Sequence, residues 1–164
     1  MTASPTFAIR PARESDAHAV GILARQFANC LRELGDTTEF KLTAEAYLRD
    51  GFGSAPAFAG IVAEENSVIG YLLYHFGYDS DAATRNFHVV DLYVERNARN
   101  RGVGKALMTA AARIAREGGA EEIVWSVYAG NPAAAAFYEK LGALRITEVF
   151  FMKANARALS KLRS

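Results

Sequence analysis

The sequence predicts a mixed α/β fold, in which helices cover both faces of a central sheet of about six or seven strands. An apolar run over 89–94 has the length of a buried strand, and an amphipathic helix begins a few residues after it. A further apolar run over 123–128 follows that helix, and a strand–helix–strand unit of this kind places two parallel strands side by side. Upstream, the stretches 58–64 and 68–76 flank a short polar link and predict an antiparallel hairpin, so the sheet is expected to be mixed.

The elements before the hairpin follow from local signals. An apolar stretch over 7–10 predicts the first strand. Ser15 and Asp16 offer N-cap chemistry to a helix whose apolar residues recur every three to four positions until Gly35. Thr43 opens a second, shorter helix, which is expected to end in the glycine-containing stretch 50–53.

The central strand and its helix are predicted after a turn. The stretch 77–86 has the composition of a turn, and the central strand is expected from about Phe87. The following helix carries one apolar stripe from Val103 onward, and Gly118 ends it.

The last part of the chain predicts a helix, a strand and a short helical tail. Asn131 caps the helix and Pro132 takes its first position, where a missing N–H costs nothing. Gly142 ends this helix. The run 146–152 predicts the last strand, and the basic tail 154–164 predicts a short helix.

The composition fits a single domain spanning residues 1–164. The chain is 51% hydrophobic, which is enough for a sizeable core at this length. Its net charge is +1 with both signs interspersed, so we expect neither a nucleic-acid partner nor a membrane surface. Residues 1–5 contain no basic region followed by an apolar run, so no secretory leader is expected, and no stretch has a membrane-spanning length. We therefore expect a cytoplasmic protein.

The only cysteine, Cys30, limits the chemistry further. One cysteine excludes an internal disulfide and a cysteine zinc cluster, and no metal site is expected. Cys30 lies in an apolar helical stretch that is expected to be far from the strand–helix junction. Core packing is therefore the expected role, and a covalent acyl-cysteine intermediate is disfavoured.

The junction between the central strand and the next helix is typical of a phosphate site. The first turn of a helix leaves N–H groups without internal partners, and the helix dipole adds partial positive charge there. Gly102 and Gly104 allow a diphosphate to approach the backbone closely. Arg99, Arg101 and Lys105 add cationic donors.

The spacing of this turn distinguishes three kinds of phosphate site. A P-loop would need Gly at Arg99 and Ser or Thr at Ala106, and a dinucleotide fingerprint would need a third Gly at Leu107. What remains is Arg99, Gly102 and Gly104 after a strand. This pattern resembles the coenzyme A pyrophosphate loop of the GNAT superfamily of N-acetyltransferases. A turn whose glycines only ease packing is the alternative.

A second motif over 131–143 is similar to the other acetyl-CoA motif of the superfamily. Asn131 and Tyr138 are about two helical turns apart and therefore share a helix face. The resemblance implies that Tyr138 faces the cofactor sulfur, where a phenol can protonate a departing thiolate. The alternative is a core tyrosine whose hydroxyl binds a carbonyl group.

Further segments resemble the diamine (spermidine/spermine, thialysine) acetyltransferase subfamily. They are 10–12, 42–43, 50–53, 62–64, 70–71, 78–79 and 91–94. The resemblance implies the acyl-CoA N-acyltransferase fold, acetyl-CoA as cofactor, a small-molecule amine as substrate and a homodimer. It implies a general acid at Tyr138 and a set of residues that hold coenzyme A: Leu92, Tyr93, Val94, Arg99, Asn100, Arg101, Gly102, Val103, Gly104, Lys105, Asn131 and Ala134.

The residues expected to bind the amine substrate depart from this pattern. The polyamine enzymes have Glu at the position of Val90, beside an acid that is present here as Asp91, and they have a carboxylate near the position of Cys30. Three acids are considered as replacements, although an ordinary solvated carboxylate is the preferred interpretation of any single one: Glu33, Asp36 and Glu39.

The reaction also needs a base, since an amine with a pKa of about 10.4 is almost entirely protonated at neutral pH. By the period-two rule His88 shares a strand face with Val90 and Leu92, and its ordinary pKa of about 6.5 suits the role. Asp91 is expected on the opposite face and is the weaker candidate, and a water chain is a third possibility.

We therefore predict an acetyl-CoA-dependent N-acetyltransferase that moves the acetyl group directly to a primary amine, such as a diamine, a polyamine or an amino-acid-like amine. Transfer to a protein lysine or N-terminus is one alternative. A catalytically silent acyl-CoA sensor is the other.

Overall fold

A computed structural model describes residues 6–162, which fall into two compact units, residues 6–131 and residues 132–162. The elements of the first unit are, in order, β1 (Ala8–Pro11), α1 (Ala17–Glu33), α2 (Ala44–Gly51), β2 (Ala59–Glu64), β3 (Val68–Asp79), β4 (Thr84–Val94), α3 (Val103–Glu117) and β5 (Ala120–Val124). Those of the second unit are α4 (Pro132–Lys140) and α5 (Ala156–Ser160).

The first unit is built on a five-stranded sheet in the order β1-β2-β3-β4-β5. The first four strands pair antiparallel, and β5 pairs parallel to β4 after the α3 crossover. The mixed α/β class and the 58–76 hairpin are therefore confirmed. The sheet has five strands within the described residues, which is fewer than the six or seven expected.

The main core lies between the sheet and the first two helices. Val20 and Leu23 of α1 and Tyr47 of α2 pack against Tyr71 and Tyr93 of the sheet. All five side chains are almost fully buried, so these helices cover one face of the sheet tightly.

The hairpin between β3 and β4 is longer than the sequence indicates. The strands pair as far as Asp79 and Thr84, so the turn predicted over 77–86 is wrong at both of its ends. The Asp79 carboxylate accepts hydrogen bonds from the N–H groups of Asp81 and Ala82, and this closes a short turn. Cross-strand pairing thus takes precedence over the turn-like composition.

The strand after α3 lies earlier than predicted. It covers Ala120–Val124 instead of 123–128, because Gly119 adopts a φ of 77° and turns the chain directly from α3 into the sheet. Residues 125–128 form no strand pairs. They leave β4 at the point where the two strands would otherwise continue together.

One predicted helix cap is confirmed and another is wrong. The Thr43 side chain accepts the N–H of Ala46, as predicted. Asp16 precedes α1 but does not cap it, because its carboxylate is held by Arg10 and by the N–H of Arg13.

In the second unit α4 begins at Pro132 and ends before Gly142, whose φ is 93°, as predicted. The strand predicted over 146–152 is wrong, since no residue between α4 and α5 pairs with a described strand, and a strand needs a neighbour for its hydrogen bonds. The predicted helical tail is present over five residues, and residues 163–164 of it lie outside the described part of the chain, as do residues 1–5. Among the helices of residues 6–162, none is long and apolar enough to cross a bilayer.

Replacing Asp16 with Ala is expected to lower the free energy of unfolding by about 2–3 kcal/mol. The carboxylate is only 6% exposed and binds both terminal nitrogens of Arg10 at 2.8 Å. Its loss leaves a guanidinium group that is 15% exposed with one carboxylate partner, Glu64, in place of two. The Arg10 hydrogen bonds lower the pKa of Asp16, with a contribution from the N–H of Arg13. Its contribution to stability is therefore present at neutral pH and lost as the pH falls below about 4.

Urea unfolding at pH 7 measures this effect. The matched control is Glu39→Ala, which breaks an ion pair with Lys41 in which both side chains are 76% exposed. An equal loss of stability in the two variants would contradict the proposed contribution of Asp16.

Candidate active site

The turn between β4 and α3 carries backbone donors that have no acceptor within the helix. Gly102 precedes the helix with a φ of 84°, and Asn100 is also left-handed with a φ of 60°. The first intrahelical bond is made by the N–H of Ala106 to the Gly102 carbonyl at 2.9 Å. The N–H groups of 103–105 precede that bond, so they point out of the helix end and can bind an anion.

Two of the three predicted cations already have protein partners. The Arg99 Nε donates to the Val94 carbonyl at 3.0 Å. Arg101 binds the Glu65 carboxylate at 2.6 Å. Lys105 is exposed at the start of α3. The turn is therefore basic, but an anion would share Arg101 with Glu65.

Cys30 lies close to this junction, so its predicted remoteness is wrong. Its sulfur is 3.4 Å from Arg96, 3.6 Å from Arg99 and 3.8 Å from the Tyr93 hydroxyl. Burial raises the pKa of Cys30, but the hydrogen bonds from Arg96 and Arg99 outweigh it and the net shift is downward. The thiol is therefore a hydrogen-bonding partner of the arginines as well as a packing residue.

The two parallel strands of the sheet separate next to the turn. β5 pairs with β4 only over Arg85–His88, so β4 continues from Val89 to Val94 without a described strand on that side. A strand edge that is left open in this way can offer its N–H and carbonyl groups to a ligand.

A β-bulge interrupts β4 near the beginning of this free edge. Asp91 pairs with Leu73 and Val89 pairs with Tyr74, which leaves Val90 as an extra residue without a partner. The period-two rule therefore fails at Val90.

The bulge changes which residues share a face. His88 pairs with His75, and Asp91 pairs with Leu73 on the same face of β3. His88 and Asp91 thus lie on one face and Leu92 on the other. The expectation that His88 shares its face with Leu92 and opposes Asp91 is wrong, because it assumed an unbroken strand.

A pocket of about 520 Å³, here called the acceptor pocket, opens beside the bulge. Val90 and Asp91 of β4 line it, together with residues 126–128, which follow β5, and Asp36. The apolar side chains that form the rest of its wall are Phe27, Leu31, Phe40, Leu42, Phe58 and Leu73. Its size suits a small molecule.

Asp91 is a half-buried titratable group of the acceptor pocket. Burial raises its pKa to about 7, although hydrogen bonds from the Tyr71 hydroxyl and from the Leu92 backbone act in the opposite direction. The Tyr71 hydroxyl donates to Asp91 Oδ2 at 2.6 Å. Burial also raises the pKa of Tyr71, so this hydroxyl keeps its proton and stays a donor. A carboxylate with such a pKa can take up and release a proton near neutral pH.

His88 lies in a different environment. Its ring stacks on His75 with centroids 4.9 Å apart, and it is not part of the acceptor pocket wall. Burial, and then the neighbouring His75, lower the pKa of His88. It is therefore a weaker proton acceptor than an ordinary histidine.

The predicted acids of the α1–α2 region are placed differently from one another. Glu33 binds Arg96, and Glu39 binds Lys41 on the surface. Asp36 reaches the acceptor pocket, where a hydrogen bond from the Thr38 N–H lowers its pKa.

The second unit holds Ala134 and Tyr138 on α4. The Tyr138 ring lies 5.0 Å from the Phe137 ring, and its carbonyl accepts the N–H groups of Leu141 and Ala143 at the helix end. Asn131, the last residue of the first unit, donates its N–H to the Tyr128 carbonyl at 2.8 Å.

Neither the hydrogen bond between Tyr71 and Asp91 nor the aromatic wall of the acceptor pocket is predicted by the sequence. Tyr71 lies on β3, and only the pairing register with β4 brings it to Asp91. Phe27 was visible as part of the apolar stripe of α1, but nothing local distinguishes a wall residue from a core residue.

The mixed sheet opens between two parallel strands, and this opening lies beside a helix start that can bind a diphosphate. This combination of fold and site is typical of a class of transferases. The chain belongs to the acetyltransferase (GNAT) family, whose family model matches residues 23–143. It is an N-acetyltransferase, and enzymes of this family use acetyl-CoA as co-substrate in general.

Two curated relatives of this chain are acetyltransferases by name. The thialysine N-epsilon-acetyltransferase of Bos taurus is 34% identical over 149 residues, which are 85% of each chain. The spermidine/spermine N(1)-acetyltransferase-like protein 1 of Homo sapiens is 30% identical over 90% of this chain, but the match covers only 22% of that longer protein.

Solved structures support the fold. An integron cassette protein from the mobile metagenome of V.cholerae superposes with a TM-score of 0.79 at 22% identity, covering 97% of this chain and 98% of the other. A ribosomal-protein-alanine N-acetyltransferase from Brucella melitensis biovar Abortus 2308 gives a TM-score of 0.73 at 20% identity, covering 91% and 99%.

Proposed function

We propose that this protein is an acetyl-CoA-dependent N-acetyltransferase that moves the acetyl group directly to a small primary amine. The observation that carries the proposal is the arrangement along β4. Asp91 lies in the acceptor pocket, and the same strand leads past the opening beside β5 to the N–H groups of 103–105 at the start of α3. An amine site and a diphosphate site thus lie at two points of one rigid strand and its following turn.

The donor set of the turn fits coenzyme A. N–H groups at a helix start suit a diphosphate, and the basic side chains at 99, 101 and 105 add positive charge. The free edge of β4 at Leu92, Tyr93 and Val94 offers main-chain groups to the pantetheine portion. The family resemblance also assigns Asn131 and Ala134 to coenzyme A binding. When bound, acetyl-CoA supplies an activated thioester.

Two side chains of this protein transfer the protons of the reaction. Asp91 accepts a proton from the bound ammonium group, which leaves a nucleophilic free amine, and Tyr71 keeps the carboxylate oriented. A carbon–nitrogen bond then forms as the carbon–sulfur bond breaks, and Tyr138 donates its phenolic proton to the leaving thiolate. The new amide nitrogen releases its remaining extra proton, which restores the phenol of Tyr138 by way of solvent. We favour Asp91 over His88 as the base because only Asp91 lines the acceptor pocket and its pKa is raised toward neutrality.

The remaining expectations stay predictions. They are a single domain over residues 1–164, a homodimer and a cytoplasmic location.

Thiol release from acetyl-CoA, followed with a panel of amines, tests the proposed function. The panel contains spermidine, putrescine, thialysine, lysine and a histone-tail peptide, each at pH 8 so that more of the amine is unprotonated. We expect turnover with at least one small amine and little with the peptide. Tight CoA binding with no thiol release from any amine would contradict the enzyme and favour a sensor.

A further inference from the structure

The wall of the acceptor pocket is mostly apolar. Its side chains are mostly aromatic or branched aliphatic, and Phe27 lies edge-on to Phe40 with ring centroids 5.5 Å apart. The centroid of the same Phe27 ring lies 5.5 Å from that of Tyr93, which is almost fully buried. Packing against this core residue therefore fixes the position of the wall. A wall of this kind favours an apolar ligand body by about fourfold for each methylene group buried.

The charges in the acceptor pocket are of one sign. Among its described lining residues, the titratable acids are Asp91 and Asp36, and there is no Lys, Arg or His. A ligand carboxylate would lie beside two acids and would find no cationic side chain to pair with. An ammonium group, in contrast, could pair with the carboxylate of Asp36 or of Asp91.

We infer, on the basis of the proposed function, that the acceptor is a primary amine with an apolar alkyl or aryl body and no carboxylate. Its amine binds Asp91, and its body lies along Phe27 and Phe40. A second ammonium group at the far end can be accommodated by Asp36. A charged nitrogen in the middle of the ligand would lie against the apolar wall, and a free amino acid would bring its carboxylate against Asp36 or Asp91.

Matched pairs of amines test this inference in the thiol-release assay. Cadaverine and lysine differ only by the carboxylate, and pentylamine and cadaverine differ only by the second ammonium group. We expect kcat/KM for cadaverine to exceed that for lysine at least tenfold, with pentylamine within about tenfold of cadaverine. Phenethylamine is expected to be a substrate, and spermidine is expected to fall below pentylamine.

A variant of Val90 tests whether the acceptor pocket itself determines the substrate specificity. Val90→Glu adds a third acid at an exposed position of the bulge, so we expect kcat/KM for pentylamine to fall at least tenfold relative to spermidine. Leu48→Glu is the matched control, since Leu48 is similarly exposed on α2 and does not line the acceptor pocket. It should leave the ratio unchanged.

The outcomes separate the two proposals. If lysine or thialysine equals or exceeds cadaverine, or if spermidine exceeds pentylamine, the inference about the acceptor is overturned while the N-acetyltransferase proposal stands. If no amine releases thiol, the proposed function fails and the inference fails with it.

Discussion

Replacing Asp91 with Asn is expected to lower kcat/KM for the amine by about 10²–10⁴-fold, the usual contribution of general acid–base catalysis. Asn has nearly the same shape and can still meet the Tyr71 hydroxyl, but it cannot accept the proton of the ammonium group. In the wild-type protein kcat/KM should rise with pH through about 7, where Asp91 ionises, in addition to any rise from the amine itself. The variant should lack that component of the profile.

The same substitution is expected to stabilise the fold at high pH. Asp91 has a pKa of about 7 in the folded protein and about 3.9 when unfolded, so the folded state binds more protons between these values. Stability therefore falls as the pH rises from about 4 to 7, and Asn removes this loss, which amounts to roughly 2–4 kcal/mol. The Tm of Asp91→Asn should exceed that of the wild type at pH 8, with a much smaller difference at pH 4.

Steady-state kinetics and thermal unfolding across pH 4–9 measure both effects, and Asp81→Asn, an exposed acid in the β3–β4 turn, serves as the control. A variant at Asp91 that keeps wild-type kcat/KM would remove this residue from the mechanism. His88 or a water chain would then be the base to test.

Replacing Tyr138 with Phe is expected to lower kcat by about 10²–10⁴-fold, because the leaving thiolate loses its proton donor. The phenyl ring is preserved, so CoA affinity by calorimetry should change little. Tyr78→Phe is the control, since Tyr78 is 68% exposed on β3 and takes no part in the proposed site. Unchanged turnover in Tyr138→Phe would exclude the proposed acid role.

The parts of the fold that could be predicted are those specified by local chemistry. The Gly102 turn, the Thr43 cap and the end of α4 at Gly142 each depend on residues within one helical turn of the feature. The family resemblance rests on the same local motifs, and the family model bears it out.

The acceptor side could not be predicted because it depends on pairing between distant residues. The bulge at Val90 exists only relative to Leu73 and Tyr74 on β3, and it reverses the face relation between His88 and Leu92. The raised pKa of Asp91 comes from burial in a pocket whose walls are α1, the α1–α2 region and the residues after β5. No window of sequence around Asp91 contains that information.

The central claim is that the turn at Gly102 binds the diphosphate of coenzyme A. A crystal structure of the protein with CoA tests it most directly. We expect diphosphate oxygens at about 2.7–3.2 Å from the backbone nitrogens of 103–105, with the thiol directed into the opening between β4 and β5. A CoA molecule bound elsewhere with this turn empty would contradict the account.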